Sequence, residues 1–239
     1  MKIKKCILIF FIIFIILSFN SITLGYENLI NIDSEAAVLI NTKTNDIVYN
    51  KNMHKKMFPA STTKILTAIV TIENSSLNDI VTASKEAVLS IPSGYVSSNI
   101  QIGEKFTIEQ LLQMLLVHSS NDAANVLAEH IGGSIPSFIS MMNTKANDLN
   151  LKNSNFTNTY GLENIDHYST AYDLAQIMHY SLKNDIFRKY ISLASCAISE
   201  TNMSGVRTYS NTNKLIVPNN LYYYNFATSG KTGFTTKAR

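Results

Sequence analysis

The sequence predicts an α/β fold of the α+β type, an antiparallel sheet with a helical lobe inserted between its strands. Two observations carry this expectation. Short apolar runs that read as strands lie towards both ends of the chain, and the middle is filled by helix-period patterns. Strands that bracket a helical region imply a sheet assembled from distant chain segments.

The elements follow in order. Ala36 to Ile40 and Ile47 to Asn50 flank the polar link NTKTND and read as a β-hairpin. A first helix is expected from Ser61 to Ile72, opened by Pro59 and small polar residues. The stretch 81–101 is polar and broken by Pro92, Ser93 and Gly94, so irregular structure is expected there. Thr107 and Gln110 are spaced as a capping box ahead of LLQMLL. A third helix runs from Asp122 to His130 and stops at Gly132-Gly133; FISMMNTKANDL forms a fourth. Residues 153–168 read as an Asn- and Thr-rich loop, and 170–182 as a further helix. The stretches 206–217 and 221–234 read as extended, with Tyr222, Tyr223 and Tyr224 as half-buried strand aromatics.

The amino terminus indicates the compartment. MKIKK carries three lysines, Cys6 to Phe19 is almost unbroken apolar sequence, and Thr23-Leu24-Gly25 supplies small residues. That is the pattern of a secretory signal over residues 1–25, although the run extended by Ile22 and Leu24 also fits a retained anchor. Without the three signal lysines the chain is electrically balanced, which gives no footprint for nucleic acid. Cys6 belongs to the signal, so Cys196 has no partner for an intramolecular disulfide and the core must supply stability. A composition that is 46% hydrophobic provides the material.

Lys64 is the first chemical oddity. It sits in the opening turn of a helix, where the macrodipole disfavours a cation. Burial in positive potential favours the neutral amine, a capable base. Ser61, three residues earlier, would share its face and be activated as a nucleophile. Taken alone, S-x-x-K is equally an N-cap serine followed by a solvent-facing lysine.

A second motif, S-x-N, occurs at Ser18, Ser76, Ser97 and Ser119. The junction of two helices singles out Ser119-Ser120-Asn121, with Ser97 still open and helix capping as the plain alternative. The third is Lys231-Thr232-Gly233 in SGKTGFTT, where lysine and threonine suit a substrate carboxylate and the glycines admit a ligand backbone. A glycine-rich turn with a solvated lysine explains that motif equally well. The five histidines have no ligand-like spacing, so no metal or other cofactor is expected. His167 is expected to be bonded within its loop, and Asp122 to be a helix-start charge.

In the order S-x-x-K, S-x-N, K-T-G behind a secretion signal, the three motifs form one pattern. The chain resembles the low-molecular-weight penicillin-binding proteins that are serine D-alanyl-D-alanine carboxypeptidases. PASTTKILTAIVTIEN, LLVHSSNDAANVLAEHIGGS and GKTGFTTKA carry the likeness, which runs from Ala36 to Ala238. It implies a β-lactamase/DD-peptidase-like transpeptidase fold. It further implies Ser61 as the acylated nucleophile, Lys64 as its base, Ser119 in the proton relay, and Asn121 touching both Lys64 and the substrate amide. Lys231 and Thr232 would bind the substrate carboxylate, with Gly233 beside them. The backbone N–H groups of Ser61 and Phe234 would form an oxyanion hole. The implied partners are peptidoglycan stem peptides ending in D-Ala-D-Ala and β-lactam antibiotics, outside the cytoplasm, with membrane contact only through the signal segment.

Against the family pattern, Arg239 ends the chain six residues after Gly233, where further strands and a closing helix are expected. The expectation is therefore a catalytic domain over 26–239 that is incomplete at its C-terminus, with the K-T-G strand at a sheet edge. A non-catalytic penicillin-binding remnant and a DD-endopeptidase are the alternatives. A class A β-lactamase is disfavoured, because Asp148-Leu149-Asn150 lacks the glutamate of E-x-x-L-N.

Overall fold

A single helix organises the fold described by the computed structural model, which covers residues 32–236. This helix, α1 (Lys64–Glu73), has the sequence KILTAIVTIE, and every residue from Lys64 to Ile72 is buried. A helix with apolar residues on nearly all sides must lie inside the protein. Its two central threonines are accommodated by hydrogen bonds: Thr67 donates to the Thr159 carbonyl at 2.6 Å and Thr71 to the Thr67 carbonyl at 2.8 Å.

The expected hairpin is present as β1 (Ala37–Ile40) and β2 (Ile47–Lys51), paired antiparallel with an irregularity at Leu39/Ile40. β3 (Ile80–Thr82) then leads to α2 (Lys85–Leu89), a short helix in the stretch expected to be irregular. Its cap is Ser84, whose side chain accepts from the Ala87 N–H. β4 (Lys105–Thr107) pairs with β3 and runs into α3 (Ile108–Gln113) through the expected capping box of Thr107 and Gln110. A π-helical turn, Met114–His118, follows and ends at Ser119 with φ 69°. α4 (Asn121–Gly132) stops at Gly133 in the left-handed conformation. α5 (Ile135–Asp148) begins earlier than expected, capped by Ser134 with proline in its first turn. α6 (Ala171–Ser181) matches expectation, whereas α7 (Asp185–Ile191), capped by Asn184, was not anticipated. β5 (Ser195–Ile198) and β6 (Arg207–Ser210) form an antiparallel pair, and a 3-10 turn, Lys214–Ile216, interrupts the expected extended stretch 206–217.

Strands thus bracket the helices as expected, but the described residues pair as three separate two-stranded ladders, not as one continuous sheet. The extended reading of 221–234 is corrected. Turns closed by Tyr223 N–H to the Asn220 carbonyl and Ala227 N–H to the Tyr224 carbonyl replace a strand. Tyr222, Tyr223 and Tyr224 are exposed instead of half-buried, because no ladder holds one face of this segment against the core.

The core is continuous from α1 through α3, the π turn and α4, where Leu111, Leu112, Leu115, Leu116 and Leu127 are fully buried. Residues 34–239 group as one unit, and 1–33 as another of which only Ile32 and Asp33 are described. The expected signal segment lies outside the described residues. No described helix is long and apolar enough to cross a membrane.

The turn before α1 is fixed by a close backbone approach. Ala60 has φ 48°, and a Cβ added to Gly161, itself at φ 95°, would lie 1.8 Å from the Ala60 carbonyl oxygen. Gly161→Ala therefore combines an unfavourable dihedral with a backbone clash. The expected result is a stability loss of about 2 kcal/mol or more, read from urea unfolding.

Candidate active site

Three segments converge at the amino end of α1. Ser61 lies in a 3-10 turn, Ala60–Thr63, that leads directly into α1 at Lys64. In a 3-10 turn, side chains three apart nearly eclipse. The result is a Lys64 Nζ to Ser61 Oγ distance of 3.0 Å. Lys64 does not reach for solvent; it is completely buried, and Nζ also donates to the Tyr160 carbonyl at 2.9 Å. Desolvation holds the Lys64 amine well below its ordinary lysine value. The nearby Lys231 charge acts in the same direction, and Asp122 opposes both. A neutral amine that gives one N–H to Tyr160 keeps its lone pair for the Ser61 hydroxyl proton.

Ser119 occupies the left-handed residue that ends the π turn, and Ser120 is the N-cap residue of α4. Such π turns recur at functional sites because they redirect side chains. Here the turn presents the Ser119 hydroxyl to Lys231, whose Nζ donates to Ser119 Oγ at 2.9 Å. Burial pushes the Lys231 ammonium down to about 7. Lys231 also donates to the Thr232 carbonyl, and Thr232 Oγ1 to Thr212 Oγ1 at 2.8 Å. Gly233 packs against the turn that carries Ser61: an added Cβ would lie 3.1 Å from the Ser61 nitrogen. The Phe234 ring is exposed, which leaves only its backbone as the element of interest.

Asn121 is buried at the start of α4, its N–H donating to the Val96 carbonyl at 3.0 Å. The hydrogen bonds of Lys64 go to Ser61 and Tyr160, and the Lys64 contact expected of Asn121 is not among them. Ser97, the competing S-x-N serine, donates to Asp122 Oδ2 at 2.6 Å, so its hydroxyl is committed to structure. Asp122 is more than a helix-start charge. Buried, it also accepts from the Ser98 and Ile100 N–H groups and ties the 97–100 loop to α4.

His167 is structural, as expected. Its Nδ1 accepts the Thr157 N–H at 3.0 Å, so the ring proton resides on Nε2 and is donated to Thr63 Oγ1 at 2.9 Å. Burial lowers it to about 4 and keeps it neutral. Tyr160, Thr212 and Gly161 were not singled out from the sequence. Tyr160 acts through its backbone, which no side-chain pattern reveals, and Thr212 matters only through its contact with Thr232.

The model of the Peptidase S11 D-alanyl-D-alanine carboxypeptidases matches residues 24–239. The chain belongs to that family. It is 34% identical to the D-alanyl-D-alanine carboxypeptidase DacF of Bacillus subtilis over 209 residues, which cover 87% of this chain and 52% of the relative. A D-alanyl-D-alanine carboxypeptidase of a Streptomyces strain is 33% identical over 84% of this chain and 72% of its own length. The chain thus spans about half the length of the Bacillus relative. Among solved structures, a Mycobacterium tuberculosis D-alanyl-D-alanine carboxypeptidase superposes with a TM-score of 0.80 at 28% identity, over 90% of this chain and 78% of that one. A Streptomyces DD-transpeptidase gives 0.78 at 30% identity, over 87% and 82%. The transpeptidase fold expected from the motifs is therefore the fold of this chain.

The depressed lysines have a consequence for stability. An unfolded lysine keeps its proton to about 10.5, whereas folded Lys231 releases it near 7. Between those values the unfolded chain binds more protons, so stability rises with pH. The urea midpoint is expected to increase from pH 7 to pH 10, and to increase less in Lys231→Met.

Proposed function

We propose that this protein is a serine DD-carboxypeptidase that removes the terminal D-alanine from peptidoglycan stem peptides. The observation that carries this reading is the fully buried Lys64 amine 3.0 Å from Ser61 Oγ. A serine is a weak nucleophile until a base takes its proton, and burial weakens this base's hold on a proton of its own.

In this reading Ser61 Oγ attacks the carbonyl carbon between the last two D-alanines as its proton passes to Lys64. The N–H groups of Ser61 and Phe234 stabilise the oxyanion. The C–N bond then breaks, and the proton travels from Lys64 through Ser119 to the leaving amine, which departs as D-alanine. Water attacks the ester, returns a proton to Ser61, and releases the shortened peptide. Asn121 orients the substrate amide. Lys231 and Thr232 hold the terminal carboxylate, whose negative charge raises the affinity of Lys231 for its proton. Gly233, with no Cβ, lets the K-T-G backbone beside the peptide lie against the turn that carries Ser61.

A β-lactam would enter by the same attack, its ring amide replacing the peptide bond, and leave slowly as a stable ester. Such a substrate would be met outside the cytoplasm, in the cell wall or at the outer face of the cytoplasmic membrane of a bacterium, and the signal-like amino terminus supports that location. A non-catalytic remnant is disfavoured, because a solitary binding function has no need of a buried base beside a serine.

The test is covalent labelling. The full chain incubated with a fluorescent penicillin and then denatured is expected to retain the label. Ser61→Ala is expected to lose it entirely, and the parent chain to release D-alanine from a D-Ala-D-Ala peptide. Folded parent protein that takes no label would sink this reading.

A further inference from the structure

The two halves of the candidate site are carried by chain segments about a hundred residues apart, and one buried ion pair joins them. Glu104, immediately before β4, is fully buried. Its Oε1 accepts from the Arg207 guanidinium at the start of β6 and from Thr201 Oγ1 at 2.6 Å, and its Oε2 accepts from the Gln101 N–H at 3.0 Å. Arg207 spends its other terminal nitrogen on the Ser98 carbonyl at 3.1 Å. The guanidinium thus spans two acceptors, a geometry its planar fork permits and a lysine ammonium on a flexible stem reproduces poorly.

From Ser98 the contacts lead to the S-x-N segment. Ser98 N–H donates to Asp122 Oδ1 at 3.1 Å, and the Ser98 and Ser120 hydroxyls are hydrogen-bonded. Ser120 and Asp122 flank Asn121 on either side. In the other direction, β6 leads to Thr212, whose N–H donates to the Val117 carbonyl at 3.2 Å and whose hydroxyl receives Thr232. Lys231 closes the circuit on Ser119. Neither Glu104 nor Arg207 is hydrogen-bonded to a residue of the three motifs, and the last two links join the K-T-G segment to Thr212 and to Ser119.

We propose that Glu104 and Arg207 are positioning residues for acyl transfer, holding the Ser119–Asn121 segment in register with the K-T-G segment. The proposal rests on the reading of Ser61 as the acylated nucleophile. It predicts that the pair sets the rate of the chemical step and not merely the stability of the fold. Reacting groups displaced by about 1 Å can lose on the order of 100-fold in rate.

The experiment separates the two effects. A buried ion pair replaced by apolar residues of similar volume often leaves stability unchanged. The full chain carrying both Glu104→Met and Arg207→Met is therefore compared with the parent for thermal midpoint, for the penicillin acylation rate constant, and for the preceding non-covalent binding constant. The expected result is a rate constant at least about 10-fold lower, with non-covalent binding within about twofold and the fold retained. A folded double variant that acylates at the parent rate overturns the proposal. Should that variant not fold, Arg207→Lys decides. It retains a cation for Glu104 but loses the bond to Ser98, and its acylation is expected to be several-fold slower; an unchanged rate overturns the proposal. A parent chain that takes no label at Ser61 would instead refute the carboxypeptidase reading, so the two failures are distinguishable.

Discussion

The burial of the Lys64 amine is the constraint on which the rest of the structure depends. An ammonium at the amino end of a helix, out of water and beside a second lysine, is disfavoured on three counts: desolvation, the macrodipole and like charge. The neutral form relieves all three, and the surrounding architecture accommodates that form. The Tyr160 carbonyl takes one N–H, and the 3-10 turn sets Ser61 where the remaining lone pair can act. The turn itself is held by backbone packing. Ala60 in the left-handed region meets Gly161 on one side, and Gly233 approaches the Ser61 nitrogen on the other. Strain of this kind persists only where the neighbouring structure over-determines it.

The polar groups around the site divide by burial into chemical and structural ones. His167 would be the obvious base to a reader familiar with serine hydrolases, yet its Nδ1 is occupied by the Thr157 N–H and its Nε2–H by Thr63. Thr63 adjoins Lys64, so the histidine braces the turn that leads into Lys64. Asp122 likewise expends its carboxylate on one hydroxyl and several backbone N–H groups. In the proposed reaction these groups hold Ser61 and Lys64 in place without reacting themselves, and lysine takes the place of histidine as the proton acceptor.

The fold positions these parts through interactions between elements that are short individually. Among the described residues the strands pair only two by two, so the helices around α1 supply most of the continuous core. The S-x-N segment is set by a π turn whose preceding leucines are fully buried, which fixes the direction in which Ser119 projects. The K-T-G segment has no ladder among the described residues and is located instead by side chains, Lys231 on Ser119 and Thr232 on Thr212.

The sequence by itself determined the long helices, the first hairpin, the capping box at Thr107 and Gln110, and the three motifs. Each of these rests on periodicity or on residue types at fixed spacing within a few positions. It did not reveal α2 or α7, whose five and seven residues give an apolar period too short to stand out. It also mistook the aromatic run at 221–234 for a strand, since β propensity is satisfied only when a partner strand exists. Tertiary structure alone decided whether Lys64 is buried or solvated, whether Ser97 or Ser119 faces the site, and how Glu104 meets Arg207. Those outcomes depend on groups separated by 25 to 112 positions. Desolvation and hydrogen bonding act through space, so no local pattern encodes them.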